Sequence, residues 1–184
     1  MGVGIGIAVL AVIILLWGIT TYNRLIRLRN LKDEGWSGID VQLKRRHDLV
    51  GNLVNAVKGY MKYEKEVLEE LVRTRTQAQM ASGVAETAKV EGGLSQALGR
   101  LFAVMENYPE LRSTENVMQL QNELSALEDE LQMARRYYNG TVREFNTQIE
   151  VFPASLVAKQ FAFTQAEFFE IENAAEREVP VVSL

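Results

Sequence analysis

Apolar positions follow three patterns along the chain. Met1 to Asn23 is a largely apolar run without a charged side chain, ended by the cations Arg24, Arg27, Arg29 and Lys32. A helix rises about 1.5 Å per residue, so this run is long enough to cross a hydrocarbon core of roughly 30 Å. From Tyr22 to about Ala81 no proline intervenes, and apolar residues recur at three- and four-residue spacing through Trp36, Ile39, Leu43, Val50, Leu53, Val57, Met61, Val67 and Leu71. That spacing is one face of a long helix, which at full length would reach roughly 90 Å. Val117, Leu120, Leu124, Leu127, Leu131, Ala134, Tyr138, Thr141, Phe145, Gln148 and Phe152 form a coiled-coil-like seam that Pro153 ends.

Such a seam must be covered, because each large buried side chain contributes about 1.5–3 kcal/mol. The face from Trp36 to Val72 is its expected partner. Ser82-Gly83 and Gly92-Gly93 predict a connector over 82–93, and a short helix is expected from Leu94 to about Glu106. Asn107-Tyr108-Pro109 reads as a turn, with Ser113 or Thr114 capping the long seam helix. Thr164-Gln165-Ala166-Glu167 matches a capping box ahead of a last short helix. The predicted fold is therefore all-α: an N-terminal transmembrane helix followed by an antiparallel four-helix bundle with two long and two short helices. The boundaries are 1–23 for the anchor, 24–35 for a juxtamembrane basic helix, 36–178 for the bundle and 179–184 for an apolar tail.

A cleavable signal peptide competes for the first segment, but it would carry cations before the apolar run and small residues after it. Here Trp17, Ile19 and Tyr22 occupy the far end, as in an interfacial belt. A retained, single-pass anchor is expected. All the flanking cations lie on its C-terminal side, so the positive-inside rule places the bundle in the cytoplasm.

Charge and composition then narrow the chemistry. A net charge of −4 argues against nucleic acid as a partner. Without cysteine there is no disulfide, thiolate metal site or thiol catalysis. A carboxylate-bridged di-metal bundle needs two Glu-x-x-His pairs, and His47 is the single histidine. GVGIG at the start lacks the GK[ST] of a phosphate loop. No catalytic, cofactor or metal residue is therefore assigned, and no small-molecule substrate or enzymatic activity is expected.

The candidate functional residues are membrane residues. Gly2-x-x-x-Gly6 and Gly4-x-x-x-Ala8 set small residues at the spacing that lets transmembrane helices approach closely. Gly2, Gly6 and Ala8 are the candidates for anchor packing, which points to a homo-oligomer or to docking on a partner's transmembrane helix. Arg24, Arg27, Arg29 and Lys32 are candidates for lipid headgroups, each worth about 1 kcal/mol near an anionic leaflet. Lys44-Arg45-Arg46 reads instead as a solvated face or as ion pairs with Asp40 and Asp48. His47 reads as a boundary residue of the long helix. Asn139 and Asn146, each following an aromatic residue one heptad apart, are expected to fix register.

Three segments together carry a family resemblance. YNRLIRLRNLKDEGWSGIDVQLKRRHDLVGNLVNAVKGY, ENYPELRSTENVMQLQNELSALEDELQMARRYYNGTVREFNTQIEVFP and the end segment with Phe168-Phe169 and VPVVSL resemble the bacterial LemA family. Gly51 departs from the proline expected at its place, so the resemblance leaves the straightness of the first long helix open. The resemblance implies an anchored antiparallel bundle without catalytic residues. It also implies association with membrane protein quality control beside a membrane protease, or with membrane shaping. Together these readings give a membrane-anchored scaffold or adaptor, with the lipid bilayer and a membrane protease as further partners.

Overall fold

The computed structural model describes residues 2–170, with the side chain of Arg112 left aside. The described residues are helical, with no strand among them. The elements are α1 (Gly2–Val57), α2 (Lys65–Met80), α3 (Val84–Met105), α4 (Pro109–Arg112), α5 (Glu115–Glu150) and α6 (Ala154–Gln160). The described residues fall into two compact units, one of 2–38 with 134–167 and one of 39–133 with 168–170. The expected apolar tail, 179–184, lies outside the described residues.

In the first unit the start of α1 meets the end of α5 and α6. Leu25 and Leu28 pack with Phe145, Ile149, Val157 and Ala158, and Tyr22, Leu31, Phe163 and Ala166 surround them. Farther along, the Trp36 and Tyr138 rings stand 5.5 Å apart. The two helices run antiparallel, since Gly35 faces Tyr138 while Leu25 and Leu28 face Ile149 and Phe145. Gly35 permits this approach: a β-carbon there would lie 3.3 Å from the Tyr138 Cα. Gly38 has nothing within 4 Å of that position, and α1 is helical through both glycines.

The chain leaves α5 through a turn whose Phe152–Pro153 peptide is cis, makes α6, and doubles back as an extended strap. A Schellman cap ends α6: the Phe163 N–H donates to the Ala158 carbonyl at 2.9 Å and the Ala162 N–H to that of Lys159 at 3.2 Å. Ala162 takes the left-handed position at φ 52°, where glycine is usual.

In the second unit the rest of α1 joins α2, α3, α4 and the start of α5 around Leu43, Leu53, Leu71, Leu94, Leu101 and Leu127, all buried. The short connectors between α1, α2 and α3 make antiparallel neighbours. Arg100 on α3 is paired with Glu70 on α2 at 2.8 Å.

Several boundaries differ from the sequence expectation. The first long helix stops at Val57 instead of running to Ala81, and a turn over 58–64 precedes α2. Gly59 supplies the break, while Met61 is fully buried beneath the turn and so keeps the apolar spacing intact. Gly92-Gly93 does not interrupt α3, which begins ten residues earlier than Leu94. Residues 163–170 are not helical despite the capping box, because the Ala166 N–H is held elsewhere (below). Thr114 donates its hydroxyl to the Glu110 carbonyl at 3.2 Å, so it does not cap α5 with its side chain. At the end of the seam Val142 and Ile149 are buried in place of Thr141 and Gln148, and Phe152 is exposed. An α-helix drifts about 20° per heptad against a strict seven-residue repeat, enough over five heptads to move the seam by one position.

Candidate functional site

The first 18-residue window of α1 has a mean hydropathy of 2.6, and none of it is buried. Val3, Ile7, Leu10, Ile13 and Leu16 are all exposed. Apolar side chains in an unbroken sleeve of this kind are covered by lipid in a single-pass anchor. Gly2, Gly6 and Ala8 lie on this uncovered surface, and a β-carbon at Gly2 or Gly6 would meet nothing within 4 Å.

The four cations do not share one face. At about 100° per residue, Arg24 and Arg27 sit on one side of α1, and Arg29 and Lys32 on another. Arg24 and Arg27 are exposed beside the end of the apolar run. The Arg29 guanidinium stands over the Phe163 ring, 5.8 Å from its centroid. Lys32 is paired with Asp33 at 2.8 Å. Arg24, Arg27 and Arg29 are exposed, and Lys32 is half-buried.

The strap 161–167 is tied to α5 by side chains. The Asn146 carbonyl oxygen accepts from the Ala166 N–H, and its amide donates back to the Ala166 carbonyl. The Tyr138 hydroxyl donates to the Glu167 carbonyl at 3.0 Å. Burial, then the carboxylates of Asp33 and Glu167, push that hydroxyl up to about 12. Asn146 therefore does fix chain geometry, through the strap rather than through a facing helix.

The second unit holds a buried ionic cluster that sequence reasoning missed. Glu91 of α3 is fully buried, and its two oxygens take Arg46 Nη1 at 3.1 Å and His47 Nε2 at 2.5 Å. A carboxylate only accepts here, so Nε2 of His47 carries the hydrogen. Arg46 also donates to Ser95 Oγ at 2.8 Å and lies 3.3 Å from Glu128 of α5. From α2, Arg75 Nε donates to the His47 carbonyl at 2.6 Å, and its guanidinium fills the space over Gly51. Arg46 and His47 are neither a solvated face nor a boundary, and neither Asp40 nor Asp48 accepts from Arg46. Arg45 does reach the surface, 3.6 Å from Glu130. An arginine beside a histidine carried no local signal of burial, and Glu91 stood next to two glycines that read as loop. Four helical segments converge on this cluster, which ties α1, α2, α3 and α5 together by charge.

An open groove of about 360 Å³ lies beside it, lined by Asp48, Gly51, Asn52, Asn55 and Arg75. Among the described residues, no three His, Cys, Asp or Glu side chains gather as metal ligands would.

A family model described as the LemA family matches residues 35–184. Protein LemA of Metamycoplasma hominis is 26% identical over 164 residues, covering 88% of this chain and 74% of its own. Magnetosome protein MamQ 1 of Paramagnetospirillum magneticum is 24% identical over 188 residues, covering 88% and 68%. Magnetosome protein MamQ of Magnetospirillum gryphiswaldense is 22% identical with the same coverage.

Proposed function

The chain belongs to the LemA family, and from that premise we propose that it is a non-enzymatic membrane scaffold that self-associates at the bacterial inner membrane. The observation that carries this reading is the wholly uncovered apolar sleeve of α1 leading into folded helical units. The small residues Gly2, Gly6 and Ala8 support helix–helix association within the bilayer, with Gly2 and Gly6 on one stripe. The cations Arg24 and Arg27 on the C-terminal flank support a cytoplasmic bundle.

Replacing Gly2 and Gly6 by Ile should reduce the mass of the detergent-solubilised assembly while helicity is kept. An unchanged mass removes the stripe from the reading. Reporters fused at Leu184 settle the side of the membrane.

A second reading is an accessory that docks a membrane protease or serves membrane shaping. The groove along Asp48, Asn52, Asn55 and Arg75 favours it, as a place where a partner helix or peptide could lie. The magnetosome names of two relatives are consistent with service to a larger cellular assembly. Pull-down in mild detergent separates the readings: a stoichiometric heterologous partner supports the accessory, and a homo-oligomer alone supports the scaffold.

A further inference from the structure

Large apolar side chains cluster uncovered at the far end of α5. Phe152 is 80% exposed, Leu156 58% and Phe161 56%, with Val151 beside them. Water is a poor setting for such a cluster, since covering each would contribute about 1.5–3 kcal/mol. They do not belong to the core: α6 buries Ala154, Val157 and Ala158 and turns Leu156 and Lys159 outward.

Their height along α1 is fixed by the packing of the first unit. Gly35 faces Tyr138, and the antiparallel run continues with Leu28 and Leu25 against Phe145 and Ile149. Carried one residue further for each residue, the pairing sets Phe152 level with Thr21, inside the uncharged run. The Phe161 ring confirms the level, with its centroid 4.6 Å from that of Tyr22. The exposed cluster therefore lies where the apolar sleeve ends, within a turn in height of Arg24 on α1, and Arg24, Arg27 and, on α6, Lys159 are exposed. The acid nearest the tip, Glu150, accepts from Gln165.

We propose that the α5–α6 turn is a second membrane contact, an interfacial wedge in which Phe152, Leu156 and Phe161 enter the headgroup–acyl boundary of the bilayer that holds α1. Aromatic rings and aliphatic tips flanked by cations are the composition such a boundary takes up. The occupant is lipid because the surface is continuous with the lipid-covered sleeve and matches anionic headgroups in charge. The wedge fixes how the first unit meets the membrane plane, which a lone helix would leave free to swivel. It rests on the anchor reading.

The chain has no cysteine, so single substitutions give unambiguous labels. The full chain carrying Phe152→Cys, Leu156→Cys, Tyr137→Cys or Leu10→Cys is labelled with an environment-sensitive fluorophore. Each is reconstituted in phosphatidylethanolamine–phosphatidylglycerol vesicles. Labels at 152 and 156 should lose fluorescence to lipid bearing a nitroxide high on the acyl chain and resist aqueous iodide. The label at Tyr137, exposed on α5 well away from the turn, should do the reverse. Iodide quenching at 152 and 156 equal to that at 137 overturns the wedge, provided Leu10 is quenched by a deep nitroxide. Shielding from both quenchers overturns it too, since a protein then covers the turn. If Leu10 itself escapes the deep nitroxide, the anchor fails rather than the wedge alone.

Discussion

Asn146 holds Ala166 by both polar groups of its main chain, accepting its N–H at 2.8 Å and donating to its carbonyl at 2.9 Å. A side-chain amide offers one acceptor and one donor in a plane, as a neighbouring strand would. Aspartate is nearly the same shape but keeps only the acceptor. Asn146→Asp should therefore leave the Ala166 carbonyl facing a carboxylate, at a cost of about 1–3 kcal/mol. Thermal unfolding followed by circular dichroism in detergent reads this. Equal stability of the Asp and Asn forms would show that the strap is held by its aromatic contacts and the Tyr138–Glu167 bond without help from Asn146.

Gly35 and Gly38 should respond in opposite directions to the same change. At Gly35 an added methyl meets the Tyr138 backbone, which cannot step aside without separating α1 from α5. Gly35→Ala should cost about 1–3 kcal/mol through overpacking. At Gly38 the methyl meets nothing, so Gly38→Ala should gain about 0.5–1 kcal/mol of helix propensity. Two melting curves on otherwise identical protein suffice, and a shift of the same sign in both refutes the packing account.

Removing Glu91 takes from the buried Arg46 cation the one fully buried carboxylate it pairs with, leaving the half-exposed Glu128 3.3 Å away, and takes from His47 its acceptor. Glu91→Ala should destabilise by about 3–5 kcal/mol. Replacing Arg46, His47 and Glu91 together by apolar residues of similar volume should recover most of that loss, because the intact cluster recoups little more than its own desolvation. Denaturant titration of the single and triple variants tests the pair. A triple variant as unstable as Glu91→Ala would mean that the charges contribute strongly in their own right.

Tyr138 gives the fold an alkaline limit. Its hydroxyl titrates near 12 in the folded protein against a usual 10, so the folded state holds the proton more tightly. The associated stability is complete below pH 10 and is lost as pH climbs toward 12, about 2–3 kcal/mol in all. Tyr138→Phe should flatten the stability profile across that interval while lowering stability below it, through loss of the bond to Glu167. A profile of unchanged slope would assign the alkaline loss to other groups.

The elements most legible in the sequence were those whose periodicity ran longest. The apolar run of α1 and the seam of α5 declare themselves, since burial on one side of a helix leaves a repeating mark. The end of α1 was hidden because Met61 sits under a tight turn and preserves the helical spacing. The course of α3 was hidden for a different reason: tertiary contacts to Glu91 outweigh two glycines, each worth only about 1 kcal/mol. Among the membrane residues, Arg24, Arg27 and Arg29 are exposed, whereas Lys32 is half-buried and paired with its neighbour Asp33. Charge order along a helix shows how many cations there are, and only the packed neighbours show which of them face out.

Arg46 and His47 are consecutive, hence about a third of a turn apart on α1, yet both close on one carboxylate of α3. Two spokes that meet at one hub act as a key in a keyway. Twisting or sliding either helix by a single position would pull both charged contacts apart at once. Greasy side chains alone tolerate several such settings, so at this point the two contacts select one setting of α1 against α3.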